Sequence, residues 1–140
     1  MDLAVRALRE RGVGSGLVNV GGDLYALGGS EDGDAWRVGI RSPDDPRGLE
    51  GTLEIRDRAV ATSGDYERCF RHDGRRYHHL LDPRTGAPRI AAVRSVTIEA
   101  DSCIAADAAA TAVFALPDEA ASAVLRARAP HARIASLLSA

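Results

Sequence analysis

Hydrophobic and polar residues alternate, or form short apolar runs, through the middle of this chain, as is typical of β-strands. Trp36 to Ile40 and Thr52 to Ile55 alternate clearly, while Leu17 to Val20 is a compact apolar run that we expect to be a buried strand. The predicted strands, apart from one hairpin described below, are residues 17–20, 24–27, 36–40, 52–55, 59–62, 93–99 and 132–138.

Helical spacing replaces this pattern at both ends of the chain. Apolar residues from Leu3 to Leu8 predict a short helix that Asp2 caps and Gly12 ends. An alanine-rich helix is predicted over 104–116, and a third helix follows over 118–128. Strands in the middle with helices at either end predict one α+β domain, with a mainly antiparallel sheet and flanking helices.

Turn-forming residues separate these elements. Gly21-Gly22-Asp23 is interpreted as a tight turn between strands, because no helical pattern follows it as a dinucleotide fingerprint requires. Residues 31–34 have the composition of a hairpin turn, and residues 63–66 form a polar break. Residues 69–81 resemble a hairpin that turns at 72–74.

This hairpin leads into His78 and His79, the segment richest in polar chemistry. The two side chains point to opposite faces if the backbone is extended, so only one of them can face a given site. Pro83 disfavours a helical conformation at Asp82, and Thr85 and Gly86 are typical turn residues. We therefore expect a strand end that leads into a rigid loop.

Composition narrows the class of protein. The chain has 140 residues, of which 45% are hydrophobic and 27% charged, and its net charge is −2. Acidic and basic residues are interspersed, which argues against a general nucleic-acid binder. Cys69 and Cys103 are expected to be reduced packing residues. The sequence as written shows no signal peptide and no run long enough to span a membrane, so we expect a soluble cytoplasmic protein. An extracytoplasmic location requires an upstream segment that carries a signal.

Asp107 and Thr111 lie four residues apart on the alanine-rich helix, so both side chains share one face. A carboxylate and a hydroxyl are hard oxygen ligands that suit Mg²⁺. The alternative is purely structural: small residues allow close helix packing, and Asp107 complements the helix dipole. Spacing alone leaves both open. Residues 62–65 likewise form either an anion-cradling nest or a simple turn.

Taken in order, several segments resemble the ApbE family, the FAD:protein FMN transferases. The matching segments are residues 17–23 (LVNVGGD), 59–67 (AVATSGDYE), 78–86 (HHLLDPRTG), 95–98 (SVTI) and 106–112 (ADAAATA). The resemblance covers essentially all of residues 1–140 and implies a single ApbE-like, T-fold-like domain. It also implies that FAD is split at its pyrophosphate, that AMP is released, and that FMN becomes esterified to a Thr or Ser hydroxyl of a target flavoprotein.

The resemblance further implies roles for individual residues. Asp107 and Thr111 match the family's Mg²⁺ ligands, and His79 matches a catalytic histidine on the flavin or phosphate side. The residues expected to contact or shape the FAD pocket are Gly22, Asp23, Thr62, Ser63, Gly64, His79, Leu80 and Asp82.

Family members carry a large further portion, so the chain resembles only their C-terminal part. It is then a subunit of a split enzyme, a fragment, or an inactive remnant. The expected partners are FAD, a target flavoprotein, and either a complementary N-terminal chain or a second copy. Two alternative functions remain: hydrolysis of FAD by water, and a non-catalytic flavin-binding or scaffolding module.

Overall fold

The structure is a computed structural model that describes residues 1–45, 47–90 and 92–139. The α+β class predicted from the sequence is confirmed. The helices are Asp2–Glu10 (α1), Cys103–Val113 (α2) and Asp118–Arg128 (α3). The strands are Gly16–Val20 (β1), Asp23–Leu27 (β2), Trp36–Arg41 (β3), Leu49–Ile55 (β4), Arg58–Gly64 (β5), Cys69–His72 (β6), Arg75–His78 (β7), Val93–Ala100 (β8) and Arg133–Ser139 (β9).

A five-stranded sheet with the order β1-β2-β5-β8-β9 forms the centre of the domain, and each neighbouring pair is antiparallel. Helix α2 packs across one face, which we call the helix face. Alternate residues of the strands, such as Ala61 and Ile98, meet Ala106, Ala110 and Phe114 there in the main core. The small helical residues allow α2 to lie close to the sheet.

A separate hairpin of β3 and β4 covers the opposite face, which we call the hairpin face. Leu24 and Val60 of the sheet form a second core with Ile55, and Trp36 and Leu53 of the hairpin pack against it. The predicted turn at residues 31–34 exists, but it does not make a hairpin, because β2 and β3 belong to different sheets. Sheet membership depends on long-range packing, which turn composition does not encode.

Strands β6 and β7 form the predicted third hairpin. A partly buried ion-pair network connects it to the sheet: the Asp65 carboxylate accepts hydrogen bonds from Arg94 Nε at 2.8 Å and from Arg76 Nη1 at 3.0 Å. Arg94 also donates to Asp44 in the loop before β4, at 2.8 Å. The loop and the hairpin are thereby fixed to the end of β5.

The N-terminal helix exists as predicted, but the role predicted for Asp2 is wrong. Asp2 makes no side-chain cap on α1. Its carboxylate instead accepts hydrogen bonds from the backbone amides of Cys103 at 2.8 Å and Ile104 at 3.0 Å, at the start of α2. Burial acts to raise the pKa of Asp2, but these amide hydrogen bonds hold it below its ordinary value. Asp2 therefore joins the two helices.

Three further expectations need correction. Strand β1 is not buried, because it is an edge strand, and Leu17 and Val20 are 42% and 62% exposed. The polar break begins later than predicted, since Ser63 and Gly64 still pair with β8. Cys69 is free but exposed, so only Cys103 packs in the core. In the residues that the structure describes, no helix has the length and apolar character needed to cross a membrane.

Candidate functional site

The central sheet opens where β2 and β5 separate. Strand β2 pairs with β5 only from Leu24–Val60 to Ala26–Arg58, whereas β5 stays paired with β8 as far as Gly64. Within the described residues, the second half of β5 therefore has no strand on its β2 side. A groove of about 980 Å³ occupies this gap and extends onto both faces of the sheet.

On the helix face the groove is polar. Asp107 and Thr111 of α2 line it together with Ser63 of β5. The hydroxyl oxygens of Ser63 and Thr111 lie 3.4 Å apart, which places the C-terminal half of α2 directly over the end of β5. The predicted helical register of Asp107 and Thr111 is thus realised, and both side chains are exposed to the groove.

Asp23, at the first position of β2, adds a second carboxylate to this wall. Burial raises the pKa of Asp23, and the negative charge of Asp107 raises it further. Among the ion pairs formed by residues 1–45, 47–90 and 92–139, none includes Asp23 or Asp107. Two facing carboxylates without a cationic partner create a local negative potential that favours a bound cation.

The donor set fits a magnesium ion. Carboxylate and hydroxyl oxygens are hard ligands, and Mg²⁺ is usually held by one or two carboxylates, with waters and substrate phosphates completing its octahedron. In the described part of the chain, no group of three or more His, Cys, Asp or Glu side chains is placed to hold a metal ion, so an ion in the groove would take its remaining ligands from water or substrate phosphates.

The turn between β1 and β2 forms one rim of the groove. Gly21 and Gly22 have φ values of 68° and 104°, which other residues rarely adopt. The amide of Gly22 donates to the side-chain oxygen of Asn19 at 3.4 Å. The predicted tight turn is confirmed, and Gly22 is brought beside Asp23 at the site.

The two histidines have different surroundings. His78 Nε2 donates to the carbonyl of Arg89 at 2.9 Å, and its Nδ1 accepts from the Leu80 amide at 3.3 Å. Its ring also packs edge-on against Phe114, with the centroids 5.8 Å apart. Both nitrogens of His78 are therefore used within the fold, while His79 is exposed and lines the groove.

Most of the residues predicted to shape the pocket come together here. Gly22, Asp23, Thr62, Ser63, Gly64, His79 and Leu80 all line the groove. Asp82 is the exception, since it lies outside the described lining. Its carboxylate accepts from the backbone amide of Arg84 at 2.8 Å and from Arg84 Nη2 at 3.1 Å, so it closes the loop after His79. Its predicted contact with the flavin stays a prediction.

On the hairpin face the groove is lined by apolar residues and also by charged ones, among them Arg41, which donates to Glu67 at 2.6 Å. Val38, Ile40 and Leu53 of the hairpin face Leu24 and Val60 of the sheet. Thr62 also lies on this face, where its hydroxyl oxygen is 2.9 Å from that of Thr97. The two threonines bond to each other across β5 and β8. Residues 62–64 form the end of β5, so this segment is neither the anion-cradling nest nor the simple turn that the sequence suggested.

Tyr66 lines the groove too, although no role was predicted for it from the sequence. Its ring lies against the backbone of Gly64, where a Cβ atom would come within 2.5 Å of Tyr66 Cε1. A glycine two residues before an aromatic residue is too common a pattern to predict a contact between the two. The contact is recognised only in the structure, where the ring of Tyr66 lies over Gly64.

Comparison with known proteins identifies the family. The sequence model of the ApbE family matches residues 1–135. The FAD:protein FMN transferase of Vibrio cholerae is 38% identical over 128 residues, covering 91% of this chain and 38% of that protein. The FAD:protein FMN transferase of Treponema pallidum is 43% identical over 136 residues, covering 89% of this chain and 37% of that protein.

Solved structures agree. The ApbE protein of Thermotoga maritima matches with a TM-score of 0.77 and 32% identity, covering 99% of this chain and 48% of that one. The flavin transferase ApbE of Vibrio cholerae matches with a TM-score of 0.75 and 38% identity, covering 91% of this chain and 40% of that one. The chain belongs to the ApbE family and spans less than half the length of each of these relatives.

Proposed function

We propose that this chain provides the metal-binding and histidine-bearing part of an Mg²⁺-dependent flavin transferase. The reaction transfers FMN from FAD to a Thr or Ser hydroxyl of a target flavoprotein and releases AMP. One observation carries the proposal: a single groove brings together Asp23, Asp107, Thr111 and His79, which come from three separate ApbE-like segments. The relatives named as FAD:protein FMN transferases support the choice of substrate.

The metal would be held by the Asp107 carboxylate and the Thr111 hydroxyl, with Asp23 adding negative charge beside them. When bound, Mg²⁺ supplies Lewis-acid stabilisation of the charge that gathers on the phosphates, worth several kcal/mol. Ser63 positions the Thr111 hydroxyl, since their oxygens are 3.4 Å apart.

His79 is the group we assign to proton transfer. The acceptor hydroxyl oxygen attacks the phosphorus of the FMN half, the P–O bond to the AMP half breaks, and AMP leaves with the bridging oxygen. The hydroxyl proton passes to the free imidazole nitrogen of His79. An imidazole can both accept and return a proton near neutral pH. His78 is unsuited to this role, because both of its nitrogens are already bonded.

The groove is open, and we propose that it is completed by a partner. A dinucleotide pocket normally buries most of its ligand. Here Val20 and Ile104, both apolar, are 62% and 74% exposed. Ile104 lies one helical turn from Asp107, and Val20 directly precedes the Gly21-Gly22 turn. A complementary N-terminal chain, or a second copy, would cover these residues and close the groove.

The direct test is to incubate the chain with FAD, MgCl₂ and a threonine-containing peptide from a flavoprotein, and to follow products by mass spectrometry. It is run alone and with the portion of the Vibrio cholerae relative that this chain does not match. FMN-peptide and AMP are the expected products. FMN and AMP without adduct would instead indicate an FAD pyrophosphatase, and no product from either mixture would indicate a non-catalytic flavin-binding module.

Variants test the residue assignments. Asp107→Ala should reduce Mg²⁺-dependent turnover by roughly two orders of magnitude or more, since the metal supplies several kcal/mol. Asp73→Asn is the matched control, because Asp73 lies in the β6–β7 turn with its side chain 88% exposed. Equal turnover in Asp107→Ala and Asp73→Asn would contradict the metal assignment.

His79→Gln should lower turnover by roughly 100-fold, which is the usual contribution of a general acid or base. His72→Gln, in the neighbouring β6–β7 hairpin and with its side chain 70% exposed, is the control and should behave as wild type. Equal turnover in His79→Gln and His72→Gln would contradict the proton-transfer role.

A further inference from the structure

The β6–β7 hairpin packs on the domain with one face and leaves the other exposed. Its register places Phe70 directly opposite Tyr77. Neighbouring residues of a strand point to opposite faces, so Arg76 and His78 lie on the face away from this pair. That face is turned inward, because Arg76 Nη1 donates to Asp65 at 3.0 Å and the His78 ring packs edge-on against a core side chain. Phe70 and Tyr77 therefore point outward.

Phe70, Tyr77 and Arg75 together form a surface that we call the outer face. The two aromatic rings are stacked, with centroids 5.2 Å apart and planes inclined by 9°, and the Arg75 guanidinium lies 5.7 Å from the Tyr77 centroid. The stack stabilises the hairpin, yet Phe70 remains 64% exposed. His72 is turned to Asp73 at the tip, 3.4 Å away, and takes no part in this surface. Exposed aromatic rings beside an arginine are typical of a protein interface.

The hairpin also carries positive charge that the fold does not neutralise. Arg68, Arg71 and Arg75 are all exposed. Among the ion pairs formed by residues 1–45, 47–90 and 92–139, none includes any of these three arginines. The nearby Glu67 is already paired with an arginine of β3. Since complementary charges steer and orient protein partners, this surface favours an acidic one.

The hairpin leads directly to the groove. Strand β7 ends at His78, and the next residue, His79, lines the groove. Two residues of extended chain span no more than about 7 Å, so Tyr77 lies within that distance of His79 along the backbone. Arg68, just before β6, lines the groove as well. A protein segment held on the outer face would therefore lie close to the residue that we assign to proton transfer.

We propose that the outer face of the β6–β7 hairpin docks the protein that carries the acceptor hydroxyl, and that it selects an acceptor segment with acidic and apolar residues beside the Thr or Ser. A carboxylate of the segment pairs with Arg75, and an apolar side chain packs on Phe70. Both residues lie outside the described lining of the groove, so this surface is separate from the site proposed for FAD. The proposal rests on the proposed function in taking a Thr or Ser hydroxyl as acceptor, but it concerns protein binding alone.

The test is a binding titration of the full 140-residue chain, without FAD or MgCl₂, followed by the fluorescence polarisation of labelled peptides. One short synthetic peptide has Asp and Leu residues beside a central threonine, and the other has Lys in place of each Asp. Wild type should bind the acidic peptide roughly tenfold more tightly than the lysine peptide. This preference should shrink as NaCl is added, because salt screens exposed charges.

Two variants, each with a matched control, test the residues. Arg75→Glu should weaken binding of the acidic peptide roughly tenfold and strengthen that of the lysine peptide, a gain that unfolding cannot produce. Arg126→Glu makes the same charge change at an exposed position of α3 and should behave as wild type. Phe70→Ala should weaken both peptides roughly fivefold, whereas Leu3→Ala, at a residue of α1 that is 71% exposed, should weaken neither. Thermal unfolding of each variant checks the fold.

A reversed charge preference in Arg75→Glu supports the proposal. Equal affinity of Arg75→Glu and Arg126→Glu for the acidic peptide would overturn it, as would a wild type that binds neither peptide or both alike. Binding to phosphatidylglycerol vesicles that Phe70→Ala abolishes, with peptide binding unchanged, would assign the outer face to an anionic membrane and overturn it too.

The peptide titration does not depend on turnover, so the two proposals can fail separately. FMN-peptide formation that is unchanged in Arg75→Glu at limiting peptide concentration would defeat the docking role and leave the proposed function intact. Charge-dependent peptide binding on the hairpin, without any FMN-peptide in the FAD assay, would support docking and defeat the transfer reaction.

Discussion

Two groups of carboxylates near β5 differ in what neutralises them. Glu99 of β8 lies beside the start of β5 and is 5% exposed. Its carboxylate accepts hydrogen bonds from Arg58 Nε at 3.0 Å and from Arg133 Nη2 at 2.5 Å. Near the other half of β5, Asp23 and Asp107 face the groove, and in the described part of the chain neither belongs to an ion pair. A lack of cationic residues is not the reason, since the chain has 18 arginines.

The difference distinguishes carboxylates that arginines neutralise from carboxylates that form no ion pair with the described residues. Asp65, like Glu99, is shared between two arginines and fixes elements to one another. A buried carboxylate with two cationic partners has its charge satisfied by the fold. Facing carboxylates without such partners cost folding free energy, and they are retained where a ligand supplies the counter-charge. This contrast supports the proposal that the groove accepts a cation.

The largest loss of stability should come from replacing a carboxylate that arginines neutralise. Glu99→Gln removes the charge between Arg58 and Arg133 and should lower the free energy of unfolding by about 2–3 kcal/mol. Asp107→Asn, at an exposed position without an ion pair among the described residues, should change it by less than about 0.5 kcal/mol. Urea unfolding of the two variants measures both values. Equal losses of unfolding free energy in the two variants would show that both carboxylates stabilise the fold, which would contradict the comparison.

A smaller effect is expected for Asp2, whose carboxylate is satisfied by backbone amides instead of arginines. Asp2→Ala removes two hydrogen bonds to amides at the start of α2, where the Ser102 cap remains, and should cost about 1 kcal/mol at pH 7. The pKa of Asp2 is lowered in the fold, so its stabilisation is fully present above the ordinary value of 3.8 and is lost as pH falls through the folded-state pKa. Wild type and Asp2→Ala should therefore converge in stability in acid, and a difference that persists unchanged at low pH would contradict the capping role.

The smallest stability effect should have the opposite sign. The pKa of Asp23 is raised, so its charge opposes folding above that pKa and has no effect below the ordinary value of 3.8. Asp23→Asn should stabilise the metal-free chain at pH 7 by less than about 1 kcal/mol, and it should weaken Mg²⁺ binding. Chemical unfolding with and without MgCl₂ measures the two effects. Destabilisation in the absence of metal would mean that Asp23 is satisfied within the fold after all.

The local pattern of apolar and polar residues predicted the secondary structure well, because strands and helices form where alternating or helical spacing was found in the sequence. It failed where a residue's partner is distant in sequence. The Asp2 carboxylate caps α2, and its partner amides are those of Cys103 and Ile104. Likewise, nothing local shows that β1 lies at an edge or that β3 leaves the main sheet.

The candidate site depended on a different kind of information. Spacing put Asp107 and Thr111 on one helix face but left a packing role open, and family resemblance favoured metal binding. The resemblance also grouped Gly22, Asp23 and His79, which the structure brings into one groove. Tyr66 was missed because its position depends on the missing side chain of Gly64. Asp82 was included because it belongs to a family-like segment, although its carboxylate bonds to Arg84.

The central claim is that Asp107, with the Asp23 carboxylate beside it, binds a divalent cation in the groove. Mn²⁺ can replace Mg²⁺ at oxygen sites, and its binding is measured by the relaxation of water protons, with MgCl₂ as competitor and FAD either absent or present. Wild type should bind Mn²⁺ in competition with Mg²⁺, more tightly with FAD, while Asp107→Asn should lose at least about tenfold in affinity and Asp73→Asn should lose none. Equal Mn²⁺ affinity in wild type and Asp107→Asn would contradict the account.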